Sequence, residues 1–210
     1  MVITSSIAVL NLDLNPVTEK DLAPVPQPHS AFLNPFAGYS ASKKIALSET
    51  EKFLQQTKPT FDIVHILPAV ILGRNELVTS TSDFSSGTNR YVMNIALGID
   101  APAPMIGAAV HVNDVALLHV QALNEKVKVG ETGVSNYIAS GGSVRWSDVS
   151  GIIEKNFGKE DFKLGGKMDT REAKFDTSET EKAFGTKWVG FEEQVKSVVG
   201  HYLELKAAEK

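Results

Sequence analysis

Tyr39 and Lys43 stand in the run Tyr39-Ser40-Ala41-Ser42-Lys43, with a Thr4-Ser5-Ser6 run upstream. Positions i and i+4 of a helix share one face, so phenol and ammonium would sit side by side. That pairing suits carbonyl reduction, in which a proton donor must stand beside the substrate oxygen while hydride reaches the carbon. A free phenol titrates at about 10, and a cation held nearby favours its anion and brings it towards the working range. A serine hydroxyl, here Ser5 or Ser6, can bond the carbonyl oxygen and stabilise the charge that develops on it. By itself the spacing is weak evidence, because an exposed helix can carry a tyrosine and a lysine incidentally.

The surrounding elements must place these groups. Met1 to Thr4 is a short apolar run, and Ile7 to Leu14 reads as a buried strand running into a loop. Asn15 to Phe36 holds Pro16, Pro24, Pro26, Pro28 and Pro35, a density that breaks regular structure. Asn34-Pro35 then opens a helix, since Asn caps and Pro is tolerated at the first helical position. Helical character runs to about Gln56, before Pro59. Phe61 to Leu67 is apolar and β-branched, the composition of a strand buried on both faces, and Pro68 ends it. A helix feeding such a strand points to a parallel α/β sheet. Further along, helices are expected over Arg90–Leu97, from Asn113 or Asp114 to about Asn124, and over Trp146–Phe157, Asp176–Phe184 and Phe191–Ala208. Strands are expected over Gly107–Val112 and Gly133–Ala139, with loops at Gly73–Asn89 and Lys159–Thr170.

Composition narrows the class. The net charge of -4 gives no basic footprint for nucleic acid. The absence of cysteine excludes disulfides, thiolate chemistry and Cys-ligated zinc, and no metal site is expected. The longest apolar run, Ile63 to Gly73, is too short for a bilayer span. No basic n-region precedes the apolar start, so a cytoplasmic location is expected.

Five segments in order carry a resemblance. Val2-Ile3-Thr4-Ser5-Ser6, Tyr39-Ser40-Ala41-Ser42-Lys43, the stretch from Phe61 through Pro68 to Gly73, His111-Val112-Asn113-Asp114-Val115-Ala116, and Phe175-Asp176-Thr177-Ser178 through Ala183-Phe184-Gly185 are spread along nearly the whole chain. The chain resembles the extended short-chain dehydrogenase/reductase family (the NAD-dependent epimerase/dehydratase superfamily), in its dihydroflavonol-reductase-like and fungal aldehyde/ketone-reductase branch. The resemblance implies an NAD(P)H-dependent reductase of an aldehyde or ketone, with NADP or NAD as cofactor and a small carbonyl or alcohol substrate. It implies Ser6 as the catalytic serine, with Ser5 as fallback, and Tyr39 as general acid/base. Lys43 would support the phenolate and bond the nicotinamide ribose. Pro68, Ala69 and Val70 would meet the carboxamide end, mainly through backbone groups. The implied fold is α/β: the last strands of a Rossmann-type parallel sheet with a small α/β substrate-binding lobe. Residues 1–72 would hold the Rossmann remnant with the catalytic helix, and residues 73–210 the substrate lobe interleaved with the last sheet elements. The loop after Gly73 and the Met93 region are expected to help line the substrate pocket.

The chain departs from that family in one respect. No glycine-rich strand–helix turn precedes the Tyr/Lys pair, and such a turn holds the pyrophosphate. The expectation is a truncated reductase, inactive as this polypeptide, whose first strand is an open parallel edge with poorly covered faces. Other readings stay open: a non-catalytic remnant or binding protein, and epimerase or dehydratase chemistry on nucleotide sugars. Gly38-Tyr39-Ser40-Ala41-Ser42 approaches a hydrolase GxSxG but lacks the final glycine and a preceding strand. His111 is expected to be a core or capping histidine, Asp114 a helix cap, and Trp146 and Trp188 packing residues. Oligomeric state cannot be read from the sequence.

Overall fold

The computed structural model describes residues 1–27, 34–124, 127, 129 and 133–210. Part of the proline-rich stretch, residues 28–33, lies outside the described residues. In chain order the elements are β1 (Val2–Thr4), α1 (Pro35–Thr57), β2 (Ile63–Pro68), β3 (Val70–Leu72), α2 (Arg90–Leu97), β4 (Met105–Ile106), β5 (Ala109–His111), α3 (Val112–Gln121), β6 (Val134–Ala139), α4 (Asp148–Phe157), β7 (Thr170–Arg171), α5 (Ser178–Phe184) and α6 (Phe191–Ala208). The chain divides into two compact units. One comprises Met1–Ala69, Val115–Ala139 and Phe175–Lys187, and the other Val70–Asp114, Ser140–Lys174 and Trp188–Lys210.

The first unit is built on a parallel sheet of order β1-β2-β6. Val2, Ile3 and Thr4 register with Val64, His65 and Ile66, and β2 registers along its whole length with β6. Every residue of β2 is buried, as its unbroken apolar run requires. Each large apolar side chain so covered contributes about 1.5–3 kcal/mol. Helix α1 starts where the sequence signals it. Asn34 is extended, and its Oδ1 accepts from the Ala37 amide at 2.9 Å, with Pro35 as the first helical residue. Lys58 ends the helix in the left-handed region (φ 46°), its amide bonded to the Leu54 carbonyl at 2.9 Å.

The second unit has its own core, in which Met93, Trp146, Ile153 and Val198 are buried together. The Trp146 indole satisfies its one polar atom by donating from Nε1 to the Ile106 carbonyl at 2.9 Å. Strands β3 and β5 pair in parallel, as do β4 and β7. Asn89 clamps the turn after β3: its Oδ1 accepts from the Gly73 amide at 3.1 Å and its Nδ2 donates to the Gly73 carbonyl at 2.6 Å. Gly73 holds φ 134°, a conformation side chains disfavour, and a Cβ there would stand 2.9 Å from Val112 Cγ1.

Several local expectations are corrected. Ile7–Val9 is a buried 3-10 turn, because Ser6 Oγ accepts from the Ala8 amide at 3.1 Å and curls the chain at the strand end. Helix α3 begins at Val112, ahead of Asn113 and Asp114. The capping group there is His111, whose Nδ1 accepts from the Asn113 amide at 3.1 Å. Asp114 instead accepts from the Val189 amide at 3.0 Å. The short strands β3, β4 and β7 carry no periodicity long enough to read. The Met93 side chain itself is buried in the core of the second unit.

Candidate active site

Tyr39 and Lys43 share a face of α1, and Ser6 sits in the turn that leaves β1. Two hydrogen bonds tie helix to turn on either side of Ser6. Lys43 Nζ donates to the Thr4 carbonyl at 3.0 Å, and Ser40 Oγ donates to the Ala8 carbonyl at 3.0 Å. Lys43 Nζ also lies 5.9 Å from the centroid of the Tyr39 ring. An ammonium has three donors, so the bond to Thr4 leaves two for other partners.

The accessibilities divide the roles. Tyr39 is 44% exposed and presents its ring outward, with the Phe36 ring 6.3 Å away, centroid to centroid. Ser6 is 8% exposed. Its oxygen accepts from Ala8 N, which leaves its own proton to donate. Pro68 ends β2, and Ala69 follows it in the same unit. Ala69 N donates to the Ala139 carbonyl at 2.9 Å, and Val70 N, in the second unit, donates to the Ala108 carbonyl at 3.2 Å. Both amides are thus occupied. Pro68 has no amide hydrogen, so a ligand in this segment would meet carbonyl oxygens.

Two histidines carry shifted equilibria. His65, in the middle of β2, is 1% exposed, with Nδ1 3.1 Å from Asn136 Oδ1 and Nε2 without a partner. Burial pushes its pKa below the ordinary histidine value, and the Asn136 bond opposes the shift. Burial also pushes His111 down, with the Asp114 charge opposing. Both are therefore neutral structural groups near pH 7. His119 donates from Nδ1 to the Val115 carbonyl at 2.8 Å, and its Nε2 lies 2.7 Å from the Thr4 hydroxyl.

Sequence reasoning missed the positioning role of Ser40. Its spacing of three from Lys43 makes the two neighbours on the helix surface, which is the signal that could have found it. As a helical residue donating to Ala8 it has no strand–turn–helix elbow, which removes the hydrolase reading. A groove of about 300 Å³, lined by Val9, Leu22, Pro24, Lys44 and Leu47 among others, includes none of Ser6, Tyr39 and Lys43.

No protein-family model matches the chain. Among curated proteins, it is 32% identical over 189 residues to the ketoreductase CTB6 of Cercospora beticola, covering 86% of this chain and 52% of that protein. It is 32% identical over 172 residues to the NAD-dependent epimerase/dehydratase ALT6 of Alternaria alternata, covering 76% of this chain and 49% of that protein. Among solved structures, yeast methylglyoxal/isovaleraldehyde reductase Gre2 complexed with NADPH superposes with a TM-score of 0.79 at 21% identity, covering 98% of this chain and 64% of that one. The chain spans about half the length of the curated relatives it matches. The parallel sheet, the ordered segments and these relatives agree: the chain belongs to the extended short-chain dehydrogenase/reductase family.

Proposed function

We propose that this chain carries the proton-transfer half of an NAD(P)H-dependent reductase acting on a small aldehyde or ketone in the cytoplasm. The observation that supports this most is the double strap, Lys43 to Thr4 and Ser40 to Ala8, which ties the helix carrying Tyr39 to the chain on either side of Ser6. The named relatives support the same class: a ketoreductase, and a methylglyoxal/isovaleraldehyde reductase complexed with NADPH. Among the described residues, no helix is long and apolar enough to cross a membrane.

Tyr39 delivers its phenolic proton to the carbonyl oxygen. Ser6 donates a hydrogen bond to the same oxygen and orients it. Lys43 keeps its position through Thr4 and offers its remaining donors to ribose hydroxyls. Pro68, Ala69 and Val70 would meet the carboxamide end through backbone carbonyls. The nicotinamide, when bound, would supply the hydride that the carbonyl carbon needs. Residues 1–72 act as the catalytic-helix part of the dinucleotide domain, and residues 73–210 supply the substrate lobe interleaved with the last sheet elements.

The residues present fit the nicotinamide end of NADP or NAD, because Lys43 has donors to spare and the exposed Tyr39 is open to a ligand. No glycine-rich strand–helix turn stands in the sequence to cradle the pyrophosphate. This polypeptide alone should therefore bind NADPH more weakly than micromolar and turn over poorly. The test is NADPH titration of the 210-residue chain, followed by NADPH oxidation with an aldehyde and ketone panel after fusion to the unaligned part of CTB6. Weak binding alone and carbonyl-dependent oxidation in the fusion are expected. Micromolar binding by the chain alone would overturn the first part, and a fusion that binds NADPH but reduces no carbonyl would overturn the second.

A further inference from the structure

Thr4 ends β1 and is hydrogen bonded to two helices of the first unit. Its carbonyl accepts from Lys43 Nζ, on α1, at 3.0 Å. Its hydroxyl lies 2.7 Å from Nε2 of His119, on α3. The ladder bonds to β2 belong to the residues on either side of it: Val64 N bonds the Met1 carbonyl at 2.9 Å, and Ser5 N bonds the Ile66 carbonyl at 2.8 Å. The Thr4 backbone therefore faces away from β2, to a side where no strand pairs among the described residues. On that side Thr4 is held by Lys43 and His119.

The position of His119 on α3 explains why its ring reaches Thr4. Val115, Leu118 and Ala122 form the buried face of the helix. His119 stands half-buried on the flank of that face, about 40° round from Val115 at 3.6 residues per turn. Its Nδ1 donates to the Val115 carbonyl, one turn back, at 2.8 Å. That bond fixes the ring against its own helix and leaves Nε2 to meet Thr4. Thr4 is β-branched and has few side-chain rotamers, so a partner at its hydroxyl fixes the residue as a whole. A fixed Thr4 gives Lys43 a fixed acceptor. The lysine stem has much rotamer freedom to lose, and a stem ordered before a ligand arrives loses less when it binds.

We infer that His119 is a positioning residue for Lys43. Through the Thr4 hydroxyl it steadies the residue whose carbonyl holds the ammonium, so that the remaining donors of Lys43 are already aimed when a nicotinamide ribose binds. His119 itself touches neither cofactor nor substrate; it acts through Thr4. The inference rests on the reductase reading for the work Lys43 does, and on bonds within this chain for what holds Lys43 in place. It also gives the Thr4 side chain a task distinct from that of Ser5 or Ser6: its hydroxyl faces α3.

The test compares His119→Leu, His119→Gln, His119→Asn, Thr4→Val and the double variant His119→Leu/Thr4→Val, with far-ultraviolet circular dichroism as the check on folding. Leucine suits a helix and valine a strand, so either single variant keeps the question open to measurement if the other fails to fold. In the chain alone, acetic anhydride labelling of Lys43, read by mass spectrometry, should quicken about threefold in His119→Leu and in Thr4→Val, while Lys52 on the same helix labels as before. In the CTB6 fusion the same two variants should raise KM for NADPH by about three- to tenfold and lower kcat, with KM for the carbonyl unchanged. The double variant should be no worse than either single one, because both break one chain of bonds. Glutamine carries a polar group near the place of Nε2 and should restore most of the loss. Asparagine reaches only the place of Nδ1 and should not. Unchanged Lys43 labelling in both His119→Leu and Thr4→Val would overturn the proposal. So would additive losses in the double variant, or rescue by asparagine as good as rescue by glutamine, since His119 would then serve only the stability of α3. The labelling needs no turnover, so it decides whether His119 holds Lys43 even if the wild-type fusion reduces no carbonyl and the reductase reading fails.

Discussion

Acid sensitivity should trace to His65. This side chain is buried in the central strand with one ring nitrogen unpartnered, and its pKa is lowered on folding. The unfolded chain therefore binds a proton that the folded chain refuses, and stability falls as pH drops through the unfolded value of about 6.5. A single such group loses up to about 1.4 kcal/mol per pH unit until the folded pKa is reached. Between about pH 7.5 and about pH 5.5, His65 alone should remove up to about 1.4 kcal/mol, or roughly 3–6 °C in Tm for a chain of this size. His111 adds a second contribution of the same sign, softened by Asp114. The assay is urea unfolding at both pH values for wild type, His65→Gln and His111→Gln. His65→Gln should start less stable at the higher pH and lose clearly less on acidification. A His65→Gln pH dependence identical to wild type would refute the reasoning, and a wild type more stable at the lower pH would refute its sign.

Other outcomes follow from the straps and the core. Gly73→Ala forces a Cβ into a positive-φ site 3.0 Å from His111 Nε2, and should destabilise by about 1–3 kcal/mol in chemical denaturation. Trp146→Phe leaves the Ile106 carbonyl without its indole donor and should cost about 1–3 kcal/mol by the same measurement. Lys43→Met removes one partly solvated hydrogen bond, at most about 1 kcal/mol of stability, yet should lower kcat/KM of the fused enzyme by on the order of a hundredfold. Equal small effects on both would deny Lys43 a catalytic role. Ser40→Ala should lower kcat about tenfold with little change in KM, since it loosens the helix behind Tyr39 without touching substrate.

Much of this architecture is legible in the chain itself, for physical reasons that differ by element. Helix α1 announces itself because Asn34 and Pro35 satisfy its first amides locally, and α6 because its charged face persists over about five turns. The run at β2 is readable because both faces are buried. The turn at Ile7–Val9 is hidden, since its apolar residues suit a strand equally well and a single serine hydroxyl decides the conformation. The start of α3 is displaced because a histidine side chain does the capping that Asn113 and Asp114 advertise. Of the site, Tyr39 and Lys43 are visible by spacing. The partners that hold the helix in place, the Thr4 and Ala8 carbonyls, are backbone atoms that no residue type reveals.

Proton transfer from Tyr39 to a carbonyl oxygen is the proposed role on which the reductase reading turns. It is tested most directly by the rate of carbonyl reduction by Tyr39→Phe against wild type, both joined to the unaligned part of CTB6. The Tyr39 ring is partly exposed, and Phe keeps its packing against Phe36, so fold and NADPH binding should be retained. The predicted result is a fall in kcat of roughly 10²–10⁴, the range for loss of a positioned general acid. A variant that binds NADPH and reduces the same carbonyl within about tenfold of wild type would contradict the account.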